Sequence, residues 1–201
     1  MIAVKKENFI GNGRHKKTYK HPYNSKLCIK VPYGEGGAKD LEREIEYRKI
    51  REQKGLKSSL LPEYYGSIET SEGKGRIFEY VVNYDGSSCK TLEDYCDNEV
   101  EFKRHYKELV ELTSRLKELL FKERMITMGI FPENIIIQKS GAGKVDVRLI
   151  NDLGSGVLIP LEYHFDFFAK KKIARRWKGF LRDLYDAYPT QIMERFITEI
   201  H

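Results

Sequence analysis

The hydrophobic period of the chain changes once, near Asn83, and that change limits the folds open to it. Before Asn83 the sequence reads as short strands and turns. Residues 9–19 have the form strand, glycine turn, strand. Residues 26–31, KLCIKV, alternate Leu27, Ile29 and Val31 against Lys26, Cys28 and Lys30. That is the period of a half-buried strand, and it points Lys30 away from the apolar face. After a glycine turn at Gly34, Gly36 and Gly37, residues 38–54 place Leu41, Ile45 and Arg48 at helical spacing, with Glu44 at the edge of the stripe. YYGSIET and RIFEYVV, joined by SEGKG, read as a hairpin.

Beyond Asn83 the spacing becomes helical. Residues 100–124 put Phe102, Tyr106, Leu109, Thr113, Leu116 and Leu120 on one stripe, which predicts a long amphipathic helix. A small hairpin follows, with strands NIIIQK and KVDVRLI about the turn SGAG. The last 40 residues are again helical in pattern. Phe167, Phe168, Ile173, Trp177, Phe180, Leu181 and Leu184 form the expected apolar side, opposite Lys170, Lys171, Arg175, Arg176, Lys178 and Arg182, and Pro189 interrupts the run. The expected architecture is α+β in two lobes: an antiparallel sheet with one helix over residues 1–83, and a mainly helical part over 84–201. A ligand is expected in the cleft between them.

Composition narrows the functional classes. Charged residues are 33% and the hydrophobic set 40%, values of a folded, charged protein. Cys28, Cys89 and Cys96 form no CxxC pair, which argues against a disulfide framework or a zinc site. No signal-peptide run and no membrane span is evident, so a cytoplasmic location is expected. The net charge of +6 permits an anionic partner, although a solvated basic surface is a commoner reason for such an excess than nucleic-acid binding. Basic and aromatic residues interleave in KKKIARRWKGF; we expect its aromatics to pack inside and its cations to face solvent.

Four pieces of sequence carry chemistry. Gly11 and Gly13 lie in a turn between strands, where glycine lets backbone N–H groups approach a phosphate. Lys30, one strand on, offers a point charge to the same phosphates, with Glu44 a candidate to hold it. Asn134 and Asp152 sit at the ends of two strands joined by a four-residue turn. An amide oxygen and a carboxylate are hard ligands suited to magnesium.

In this order the pieces resemble the eukaryotic-type protein-kinase fold. GNGRHKKTY stands against a glycine-rich loop, CIKV against the lysine strand, GIFPENIII against the catalytic loop at its P-E-N core, and NDLG against the metal-binding triplet. Together with GVLIP after the triplet, these stretches are more narrowly similar to the YrbL family of PhoP regulatory network proteins, a small bacterial kinase-like branch. The resemblance implies a fold with a truncated helical lobe, ATP and magnesium as ligands, and Lys30, Asn134 and Asp152 as the catalytic clamp. It also implies that backbone groups of Glu79 to Val81 bind adenine. The departures are specific. Lys16 replaces the third glycine, and Thr127, Met128 and Gly129 stand where the loop would carry its histidine and proton-accepting aspartate. Glu133 and Asp166 are candidate replacement carboxylates. Two functions stay open: a phosphotransferase with an unidentified small-molecule or protein acceptor, or a pseudokinase that binds nucleotide and signals through a regulatory or scaffold role.

Overall fold

A computed structural model describes residues 1–201, the side chain of Glu35 excepted. The chain is α+β. Its first part is a five-stranded antiparallel sheet of order β1-β2-β3-β5-β4, built from β1 (Phe9–Asn12), β2 (Lys16–His21), β3 (Asn24–Pro32), β4 (Tyr64–Thr70) and β5 (Gly73–Glu79). The helix α1 (Gly34–Gln53) runs between β3 and β4.

The β3 strand is buried on both faces, not one. Ile29 and Val31 pack with Tyr19 and Val4, while Cys28 packs on the opposite side with Leu41 of α1 and Phe78. The alternation marked Lys30 as solvent-facing, but α1 covers that face and leaves Lys30 only 5% exposed. The glycine turn expected before α1 is instead its first turn. A Cβ on Gly37 would lie 2.3 Å from the His15 carbonyl oxygen, so glycine here lets the β1–β2 loop press against the helix start.

The second part holds α2 (Leu92–Cys96), α3 (Glu99–Lys122), α4 (Asp166–Ala187), α5 (Gln191–Ile200) and a small antiparallel sheet of order β6-β7-β8. In that sheet β6 is Lys90–Thr91, β7 is Ile135–Gly141 and β8 is Lys144–Leu149. Neither β6 nor α2 stands out in the sequence, because two and five residues are too few for a hydrophobic period to repeat clearly. α2 is marked instead by a capping box between Thr91 and Asp94. Phe102, Leu109, Leu116 and Leu120 of α3 join Ile173, Trp177 and Phe180 of α4 and Phe196 of α5 in the main core.

Phe167 and Phe168 do not join that core. Both are exposed at the start of α4, because α4 meets the core only from Ala169 onward. The two parts are tied through α1. Tyr47 donates to the Arg124 carbonyl and accepts from the Ile126 amide, while Arg51 donates to the Glu123 carbonyl. Among the described residues the three cysteines are free, and no helix is long and apolar enough to cross a membrane.

Candidate functional site

The Lys30 ammonium lies over the ring of Phe78, its Nζ 4.4 Å from the centroid, and donates to Asn151 Oδ1 at 2.9 Å. Glu44 is buried nearby. Its direct ionic partners are Arg48 at 3.0 Å and Lys16 at 3.8 Å; no ion pair with Lys30 forms among the described residues. Lys30 is thus held by Asn151, not by Glu44, although the two charges still feel one another. Burial lowers the Lys30 ammonium from 10.5 to about 8, against the pull of Glu44. Burial alone would raise the Glu44 carboxyl, but Lys30, Arg48 and Lys16 outweigh it and hold the group at about 2. One Glu44 oxygen, Oε2, makes no hydrogen bond and faces only the Lys16 ammonium.

From Lys30 a line of hydrogen bonds leads to Asp152. Asn151 Nδ2 donates to Asn134 Oδ1 at 2.9 Å, and Asn134 Nδ2 donates to Asp152 Oδ2 at 2.7 Å. Its direction is imposed by its ends. An ammonium can only donate and a carboxylate can only accept, so both amides must present oxygen toward Lys30 and nitrogen toward Asp152. The backbone that delivers these groups is unusual. Asn151 and Asp152 have φ of 62° and 52°, a left-handed bend that asparagine and aspartate tolerate better than other side chains. The bend is pinned from both sides. Ile150 N donates to the Asn134 carbonyl, Met128 N to the Asp152 carbonyl, and Gly154 N to the Ile126 carbonyl. Asn151 was not among the residues the motifs singled out, although its place beside Asp152 in NDLG was the available signal.

A cleft of about 490 Å³ opens over this line. Gly13, Asn134 and Asp152 line it with Lys16, Arg43 and Glu133. Lys30 and Glu44 sit buried beneath, and Gly11, Glu79 and Val81 do not line it. Gly13 closes the β1–β2 turn through its amide to the Lys16 carbonyl, and its own carbonyl accepts from the Tyr33 hydroxyl at 2.5 Å. At the exit of β5, the Glu79 amide donates to the Glu63 carbonyl and its carboxylate pairs with Arg148 at 2.6 Å. Both groups therefore already serve the sheet and its contact with β8. Val81 is buried.

The loop before Asn134 carries a second departure beyond the missing acid. A Cβ on Gly129 would meet the Phe131 ring at 2.4 Å, so the ring occupies the space a side chain at 129 would enter. Phe131 is 39% exposed and lines the cleft, as does Met128. Of the candidate replacement carboxylates, Glu133 lines the cleft, whereas Asp166 pairs with Arg124 and does not.

Asn134 Oδ1 and Asp152 are oxygen donors of the kind magnesium takes, two from protein with the rest left to water or phosphate. No denser group of three or more His, Cys, Asp or Glu side chains competes for a metal among the described residues. The donor set fits on one condition: Asn134 must turn its oxygen toward Asp152, which reverses the amide line and frees Lys30 from Asn151.

These elements define an α+β protein with a polar cleft, lined by charges of both signs, between a sheet carrying a buried lysine and a hairpin carrying an asparagine and an aspartate. The chain belongs to the YrbL family: the family model described as PhoP regulatory network protein YrbL matches residues 2–185. A protein of Escherichia coli (strain K12) named "Uncharacterized protein YrbL" is 30% identical over 188 residues, which is 90% of this chain and 87% of that protein. The protein of the same name in Shigella flexneri matches with the same identity and coverage.

Proposed function

We propose that the chain is a kinase-like phosphotransferase that binds ATP with magnesium and works with a catalytic loop lacking the usual aspartate. The observation that carries this reading is the line Lys30, Asn151, Asn134, Asp152. It joins residues 122 positions apart in the sequence on the floor of one polar cleft, whose rim carries Arg14, Lys16 and Arg43 as well as Asp40 and Glu133. Phosphoryl transfer depends mainly on positioning and charge stabilisation, and these residues are of the types that supply both. In this reading Gly13 and Lys16 cover the phosphates, and Asn134 and Asp152 hold the magnesium, which neutralises phosphate charge. Lys30 leaves Asn151 to donate to phosphate oxygen, with Glu44 Oε2 as its acceptor on the buried side. Gly11, Glu79 and Val81 complete nucleotide binding only if the sheet approaches the loops more closely. Glu133 is the remaining candidate to accept a proton from the phosphoryl acceptor.

A second reading, a nucleotide-binding pseudokinase with a regulatory role, is favoured by one observation: Phe131 fills the space beside Gly129 where a proton-accepting side chain would stand. The test is direct. Purified protein is incubated with magnesium and γ-labelled ATP, with nucleotide binding measured separately and Asp152→Ala as comparator. Turnover that disappears in the variant supports the enzyme. Binding without turnover supports the pseudokinase, and no binding in the native protein overturns both.

A further inference from the structure

The chain from Gly156 to Phe168 carries seven of the 17 exposed large hydrophobic side chains. Leu158 is 97% exposed, Ile159 72% and Phe167 69%, and Val157, Phe165 and Phe168 are also exposed. The three phenylalanines form one cluster, with Phe168 5.5 Å from Phe167 and 6.2 Å from Phe165 between ring centroids. This is a concentrated patch, not scattered apolar residues of the kind every surface carries.

Cations continue the patch along α4. Lys170 and Lys171 lie three and four residues beyond Phe167, and Arg175 and Lys178 follow at helical spacing, so the outward stripe of the helix runs from phenylalanine into positive charge. All four are exposed, and none forms an ion pair among the described residues. The acids at the two ends of this stripe are already engaged: Asp166 with Arg124 and Asp183 with Arg182. Glu162, near the patch, is taken by Lys172 and Ser155.

We propose that this face docks on an anionic lipid surface, with Leu158, Ile159 and Phe167 entering the interface and Lys170, Lys171, Arg175 and Lys178 lying against headgroups. Apolar side chains beside a basic helical face are the combination that binds such surfaces peripherally, and each unpaired cation adds attraction to anionic lipid. Shape and charge select this occupant over others. A side chain as exposed as Leu158 sits on a projecting tip, which suits insertion into a soft interface better than the seat of a rigid partner. A second copy related by a twofold axis through the exposed face of α4 would set the unpaired cations against themselves.

The test uses the full chain and sedimentation with vesicles of phosphatidylcholine alone or mixed with phosphatidylglycerol. Binding to the mixed vesicles is expected, weakening as salt rises. Lys170→Gln with Lys171→Gln should lower partitioning roughly thirtyfold. Leu158→Ser or Phe167→Ser should each lower it by roughly tenfold or more. Matched removal of charge from the sheet, Lys26→Gln with Lys74→Gln, should leave it unchanged. All these positions are exposed, so unaltered circular dichroism is expected throughout. No binding to the mixed vesicles overturns the proposal, as does equal binding to neutral vesicles or equal loss in the sheet variant. Capture of duplex DNA without vesicle binding would assign the cations to nucleic acid instead, and a dimer broken by Leu158→Ser would assign the apolar tip to self-association.

Discussion

Replacing Lys30 by methionine is expected to leave the protein without nucleotide at least as stable while weakening its hold on nucleotide. The ammonium sits at 5% exposure, and burial lowers its pKa from 10.5 to about 8. At pH 7 that fall corresponds to about 3 kcal/mol by which the folded state disfavours the charge. Methionine has similar length, carries no charge and packs well against the Phe78 ring that now lies under the ammonium. Against the gain stands the charge-assisted hydrogen bond to Asn151 Oδ1, whose loss costs about 1.5–3 kcal/mol. The net expectation is about 0–1.5 kcal/mol of added stability at pH 7, or a rise of up to about 3–6 °C in melting temperature for a chain of this size.

The pH dependence gives a second check of the same reasoning. A lysine with a depressed folded pKa binds fewer protons folded than unfolded between about pH 8 and 10.5. Native stability should therefore rise with pH through that window, and its gap from Lys30→Met should close. Thermal or urea unfolding of both proteins at pH 7 and above pH 9 measures this. A variant less stable than the native chain by more than about 1 kcal/mol at pH 7 would refute the argument and make Lys30 a structural tie.

Two further expectations concern the site. Affinity for ATP with magnesium, followed by calorimetry, should weaken as pH rises through about 8, because Lys30 then loses the charge that attracts phosphate; a flat profile would mean that Lys30 does not contact it. Gly129→Asp alone should push the Phe131 ring aside at a cost of about 0.5–1.5 kcal/mol, since its Cβ overlaps that half-exposed ring, and should not raise turnover. Adding Phe131→Ala should relieve the strain, and turnover that rises only in the double variant would show the loop still addresses an acceptor.

Much of the site was legible because its parts are local. Asn134 follows a Pro-Glu turn and opens a strand, Asp152 closes the next, and a hairpin of that length must bring them together. Of the two glycines expected in the turn, Gly13 lies in the β1–β2 turn, whereas Gly11 lies within β1, paired with Thr18. Side-chain partnership was less legible. Glu44 was matched with Lys30 as a carboxylate to hold a phosphate-contacting lysine in place, but the left-handed bend at Asn151 sets an amide closer, and Glu44 turns to Arg48 and Lys16. Phe131 could not be read as a neighbour of Gly129, because two residues in a loop can meet or diverge and only the turn decides.

What the sequence by itself determined are the elements: turn residues and hydrophobic period place β1 to β5, α1, α3, α4 and the β7–β8 hairpin, since each is a local pattern. Burial of a given side chain was decided only by what packs above it. Lys30 and Phe167 show this in opposite directions, a lysine on a polar-looking face covered by α1 and a phenylalanine on an apolar-looking stripe left in water. The period of a strand or helix says which residues share a face, and only the tertiary structure supplies the element that covers it.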